Sequence, residues 1–112
     1  MNKSFLFIGY ESFLKDEIKE FITNYEGEVY FANSTEQSIH CLEKFNIDIV
    51  VLSLHRVGDA AILKYINQYF PKVKVLIKAT DEFDSIIKIL NKGTYSYLSN
   101  PFKLKELSSY CW

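Results

Sequence analysis

Apolar residues along this chain follow two alternating rhythms: short dense runs, and longer stretches in which they recur every third or fourth position. The runs fall at Ser4–Ile8, Glu28–Phe31, Ile47–Ser53, Val73–Ile77 and Tyr95–Leu98, and each predicts a strand. The run Ile47–Ser53, IDIVVLS, is the most informative. Beyond Asp48 it is continuously aliphatic up to Ser53, the signature of a strand covered on both faces in a parallel sheet.

The stretches between the runs carry helical periodicity. Leu14, Ile18, Phe21, Ile22 and Tyr25 form one stripe; Ile39, Leu42 and Phe45 form a second. A third comprises Ile62, Leu63, Ile66, Tyr69 and Phe70, and a fourth Phe83, Ile86, Ile87 and Leu90. Leu104 and Leu107 begin a last one. Stop and start signals frame them. Ser12 is a candidate N-cap and Gly27 a candidate stop for the first helix. Ser34-Thr35-Glu36-Gln37 fits a capping box for the second. Pro71 closes the third, Thr80 or Asp81 opens the fourth, Gly93 closes it, and Asn100-Pro101-Phe102 reads as a turn.

Strands that alternate with helices at this spacing predict right-handed crossovers and a parallel sheet with helices on both faces. The expected architecture is a single α/β domain over residues 1–112, a three-layer sandwich with a five-stranded sheet in the order 2-1-3-4-5. The switch point of that order lies between the first and third strands. It places Gly9, Tyr10 and Glu11 beside Ser53 at the carboxyl end of the sheet, where open α/β sheets bind their ligands.

Composition narrows the function classes. The net charge is −1 with both signs interspersed, so no strong field draws the domain to nucleic acid or an anionic membrane. The three lysines at 72, 74 and 78 make at most a weak basic edge. No apolar run approaches the length of a membrane span, and no signal peptide is read at the start. Cys41 and Cys111 share no motif spacing, which points to reduced structural thiols and a cytoplasmic setting.

The ordered series Ile8-Gly9-Tyr10-Glu11, Asp48 to Ser53, Lys78-Ala79, Gly93 and Tyr97-Leu98-Ser99-Asn100-Pro101-Phe102 resembles the receiver domain of bacterial response regulators over essentially the whole chain. The resemblance implies a flavodoxin/CheY-like (βα)5 fold. It also implies the chemistry that such domains perform. Two acids after the first strand and an aspartate after the third hold Mg²⁺ through carboxylate oxygens. The aspartate takes a phosphoryl group, whose developing charge the metal and a lysine neutralise. A hydroxyl at the end of the fourth strand then turns toward the product.

This sequence departs from that pattern at each of those positions. The metal-binding acids fall at Gly9 and Tyr10, the phosphoacceptor at Ser53, the switch hydroxyl at Lys78 and the lysine at Asn100; Glu11 remains beside the lost pair. A serine alcohol with no base to activate it is a poor nucleophile. Lys78 is read as an internal surrogate for the missing charge, reaching toward Glu11, against the alternative of a solvated lysine at a strand end. The family's cis bond before the proline is expected at Asn100–Pro101. His55 lacks a companion with ligand spacing and His40 reads as a surface residue.

The expected function is therefore non-enzymatic: a degenerate, phosphorylation-independent receiver that uses no Mg²⁺ and no cofactor. In receivers the fourth helix, fifth strand and fifth helix form the partner surface. Here that surface would include Tyr95, Tyr97, Phe102, Leu104 and Tyr110, and would bind a protein partner or a second copy. Within signalling, the alternative is the regulatory or dimerisation domain of a transcription regulator whose DNA-binding part is absent from this chain. The rival from another class is a flavodoxin-like domain that binds a small anion at the sheet end. It lacks a glycine-rich phosphate loop, since Gly9 stands alone.

Overall fold

Strand β1 (Ser4–Ile8) lies inside a parallel sheet, with β2 (Glu28–Ala32) on one side and β3 (Ile49–Leu54) on the other. Strand β4 (Lys74–Ala79) flanks β3, which gives the order β2-β1-β3-β4. A two-residue segment, β5 (Ser96–Tyr97), pairs with Leu76 and Ile77 beyond β4. The computed structural model describes residues 3–9, 12–54, 61–79 and 96–97. The fourth helix, the Asn100-Pro101-Phe102 turn with its expected cis bond, and the last helix lie outside the described residues, as do Tyr95 and Leu98 of the expected fifth strand.

Alternation along the strands sorts the core into two. Leu6, Ile8, Val50, Leu52, Val75 and Ile77 face one way. They meet Leu42 of α2 (Thr35–Lys44) and Ile62, Leu63 and Ile66 of α3 (Ala61–Tyr69). Phe5, Phe7, Ile49, Val51 and Leu76 face the other way, against Ile18 and Ile22 of α1 (Ser12–Asn24). The strands are thus apolar on consecutive residues because both faces are covered, as the sequence pattern predicts. Each large side chain removed from water contributes roughly 1.5–3 kcal/mol.

The local signals act as expected in part, and the departures have physical causes. Ser34 caps α2, its Oγ accepting from the Gln37 amide at 3.1 Å. Gln37 Oε1 reaches back to the amide of Asn33 at 2.8 Å, one residue beyond the cap itself, so the reciprocal bond closes one residue earlier than the usual box. The candidate cap Ser12 is the first helical residue of α1. Ile47, expected in the third strand, precedes it: its amide bonds to Phe45 O at 3.1 Å, a tight turn that buries the side chain without sheet pairing. Asp48 fastens the sheet at its amino end. It exchanges backbone bonds with Ser4 O and the Lys74 amide, and its Oδ2 accepts from the Ser4 amide at 2.9 Å.

The expected stop at Gly27 is shared between two residues. The Gly27 amide bonds to Ile22 O and the Glu26 amide to Thr23 O, each at 2.9 Å, the paired bonds of a Schellman ending. The left-handed position in that motif is Glu26, with φ of 60°, and not the glycine. Gly27 is needed for space: a Cβ there would stand 2.7 Å from Ile22 Cγ2 and 3.1 Å from Lys3 O. Two opposite outcomes are therefore expected in urea unfolding. Glu26→Gly should raise stability by about 0.5–1 kcal/mol by relieving the left-handed backbone. Gly27→Ala should lower it by roughly 1–3 kcal/mol through overpacking. Equal effects of the two would contradict this account of the helix end.

Candidate functional site

The carboxyl end of the sheet is built by three strand ends. Strand β1 closes at Ile8, and Gly9 follows with φ of 85°, a left-handed turn that glycine adopts without penalty. Its amide is tied to Ala32 O at 3.0 Å, which holds Gly9 to the end of β2, and α1 begins at Ser12. Strands β3 and β4 extend further than the sequence pattern predicts, through Leu54 and Ala79. Ser53 lies in β3 as expected, Lys78 is consequently a strand residue too, and the two stand directly opposite one another in register.

Register fixes their direction. Val51 and Leu76, two residues earlier, point into the layer that packs on α1. Side chains two residues apart share a face, so Ser53 and Lys78 project to the α1 side of the sheet. Ser53 is 4% exposed, whereas Lys78 is half-buried. An ammonium partly withdrawn from water needs acceptors or an anion to offset its desolvation. Among the described strand ends at this edge, Gly9, Ser53 and Lys78 supply one cation and no acid.

The structure thus brings together Gly9, Ser53 and Lys78 of the expected pocket. Tyr10, Glu11 and Asn100 lie outside the described residues, so the proposed reach of Lys78 toward Glu11 does too. The same holds for His55, Cys111 and, on the expected interaction face, Tyr95, Phe102, Leu104 and Tyr110; Tyr97 is placed through its backbone pairing with Ile77. Lys72, Lys74 and Lys78 do not form one basic edge. Lys74 opens β4 while Lys78 stands near its far end, about 13 Å away at about 3.3 Å per residue.

Other candidate chemistry is accounted for structurally. Cys41 is half-buried on α2, and burial pushes its thiol above the ordinary value despite the opposing Lys44 charge. It is therefore protonated and unreactive at neutral pH. His40 is exposed, as expected. Among the described residues no group of three His, Cys, Asp or Glu is placed to hold a metal ion, and no helix is long and apolar enough to cross a membrane. Sequence reasoning missed a groove of about 440 Å³ between the ends of α2 and α3, where Phe45, Tyr69 and Phe70 meet Asp48 and Lys72. It also missed the bond from Tyr65 Oη to Glu43 Oε1 at 2.9 Å, which joins α3 to α2. For the groove the signal was the aromatic residues that end the second and third helical stripes, Phe45, Tyr69 and Phe70; Tyr65 lies off those stripes.

Sheet order and helix placement define a class of fold: it is the CheY-like, flavodoxin-type arrangement of response-regulator receiver domains. Solved structures of that class superpose over nearly the whole chain. The signal receiver domain of an HD domain-containing protein from Pseudomonas fluorescens is similar with a TM-score of 0.81 and 21% identity, over 97% of this chain and 90% of that one. A response regulator receiver domain protein from Clostridium thermocellum gives a TM-score of 0.78 at 26% identity, over 96% of this chain and 89% of that one. The chemotaxis response regulator CheY4 of Vibrio cholerae gives 0.79 at 13% identity, over 98% and 96%. No protein-family model matches the sequence, and no curated protein does.

The adjacency of positions 53 and 78 has a measurable consequence. Ser53→Asp places a carboxylate at a buried site directly beside the Lys78 ammonium. A double-mutant cycle with Lys78→Met should show a favourable coupling of about 1–3 kcal/mol, since an unpaired buried carboxylate is costly and a paired one much less so. Urea unfolding of the four proteins measures it. Additive effects would mean that the two side chains do not meet.

Proposed function

We propose that this chain is a single receiver-like domain of the (βα)5 type over residues 1–112 that has lost phosphorylation and acts as a protein-interaction module in signalling. The observation that carries the reading is Ser53: a buried hydroxyl, in register with a lysine, at the strand position where the receiver pattern calls for an aspartate. A hydroxyl there supplies neither a carboxylate for a divalent metal nor an ionised nucleophile for a phosphoryl donor. Gly9 and Tyr10 bring no metal-binding oxygen acid at their positions, and Asn100 no cation. The domain in this reading is not an enzyme, takes no Mg²⁺, acts in the cytoplasm and does not itself contact nucleic acid.

Its output passes through protein contact. The reading assigns this to the face bearing Tyr95, Tyr97, Phe102, Leu104 and Tyr110, where aromatic side chains offer large contact area at small entropic cost. A second reading makes the chain the regulatory or dimerisation part of a larger transcription regulator. The solved receiver domain of the HD domain-containing protein supports it to this extent: such domains serve as parts of longer chains.

The test is intact mass after incubation with acetyl phosphate and Mg²⁺. The expected result is an unchanged mass, and unchanged spectra on adding Mg²⁺ alone. A stable phosphoryl adduct would overturn the reading.

A further inference from the structure

We infer that the outer edge of β2 is a self-association surface, on which a second copy of this chain pairs its own β2 in antiparallel fashion. This edge lies at the opposite side of the sheet from β5, and so stands apart from the face that bears Tyr97. Strand β2 pairs with β1 alone. In a parallel ladder each residue turns its amide and carbonyl to one side, and successive residues turn to opposite sides. The Glu28 amide donates to Lys3 O, and Ala32 O accepts from the Gly9 amide, so Glu28, Tyr30 and Ala32 face β1. Val29 and Phe31 therefore turn outward, and no described residue bonds to their amides or carbonyls. Natural sheet edges are guarded by lysine, proline or a bulge. Strand β2, EVYFA, has none: its one charge stands at its first residue, and its register with β1 is unbroken. Val29, Tyr30 and Phe31 are only half-buried, although α1 packs on one face of the sheet and α2 on the other.

The occupant is a second copy because the edge is complementary to itself. The outward groups sit symmetrically about Tyr30. A two-fold axis at Tyr30 sets Val29 opposite Phe31 of the second copy, and Phe31 opposite its Val29, as hydrogen-bonded pairs that each exchange both bonds. A valine facing a phenylalanine is a favourable cross-strand pair. Tyr30 meets its own copy at the closer, non-hydrogen-bonded position between them. Its ring is already held by stacking on Phe45, with centroids 4.1 Å apart, and by a bond from its Oη to Glu28 Oε2 at 3.2 Å. That order limits the side-chain entropy lost on association. Glu28 falls opposite Ala32 of the second copy, so no like charges confront one another. An unrelated strand would share the backbone bonds without this matching of side chains.

The experiment is sedimentation velocity of the full chain from about 5 to 500 µM, with amide exchange followed by NMR at both ends of that range. A monomer that becomes a dimer is the expected result. Exchange at the Val29 and Phe31 amides should slow at least about tenfold on association, while Tyr30 and Ala32, already bonded to β1, change less. Val29→Lys, which supplies the charge that natural edges carry, should weaken the dimer at least about tenfold. Cross-linking tests the register in a Cys41→Ser, Cys111→Ser background. Tyr30→Cys should oxidise to a covalent dimer, since its copy lies about 4.5 Å away between Cα atoms. Val29→Cys should not, since its copy lies about 8 Å or more away. A monomer throughout, a dimer that leaves the Val29 and Phe31 amides unprotected, a folded Val29→Lys protein as dimeric as the parent, or equal cross-linking of the two cysteines would each overturn the inference. None of these results bears on phosphorylation, so a failure here leaves the reading above standing.

Discussion

The pairing of β3 with β4 is the constraint on which the rest of the site depends. Six consecutive residue pairs run from Ile49 opposite Lys74 to Leu54 opposite Ala79, and the two apolar faces leave no freedom to slide. A slip of one residue would turn Val50, Leu52, Val75 and Ile77 out of one core layer and into the other. With register fixed by burial, the identity of the residues at the carboxyl end is imposed by the core. Ser53 and Lys78 are neighbours because Val51 and Leu76 are.

That imposed adjacency determines the chemistry. A parallel sheet covered on both faces gathers strand ends and helix amino ends at one edge, and so presents dipoles suited to negative charge. A receiver places carboxylates there and offsets them with a divalent cation. This chain places a cation there directly. Among the described strand ends Lys78 is the charged side chain at this edge, and it lies beyond the buried layers of Phe5, Phe7, Leu52 and Leu76. Fold and activity separate at this edge: the core specifies the first, and a few strand-end side chains specify the second.

Much of the architecture was legible in the sequence for the same reason. Two-sided burial writes itself as continuous aliphatic runs, and one-sided burial of helices as a period near four. What was not legible were features set by local geometry. Ile47 is as apolar as the strand residues Ile49 and Val50, but its amide is spent on a turn, and composition does not distinguish the two. Gly27 announced a helix end correctly, yet steric contact with Ile22 and Lys3, not backbone freedom, explains it, and the left-handed residue is the unremarkable Glu26. At the site, spacing alone located Ser53 and Lys78. Their shared strand register and contrasting burial needed coordinates, because β3 and β4 continue past the last residues that periodicity marks.

The central claim is that a receiver framework persists here without receiver chemistry, and restoring the chemistry tests it most directly. A folded variant carrying Gly9→Asp, Tyr10→Asp, Ser53→Asp, Lys78→Thr and Asn100→Lys should regain the metal and phosphoryl pocket. Asp is among the residues that best tolerate the left-handed backbone at position 9. Fluorine NMR of bound beryllofluoride, with and without Mg²⁺, reads the pocket without covalent turnover. The account predicts a Mg²⁺-dependent bound signal in the restored chain and none in the parent. A bound signal of equal strength in the parent would contradict it.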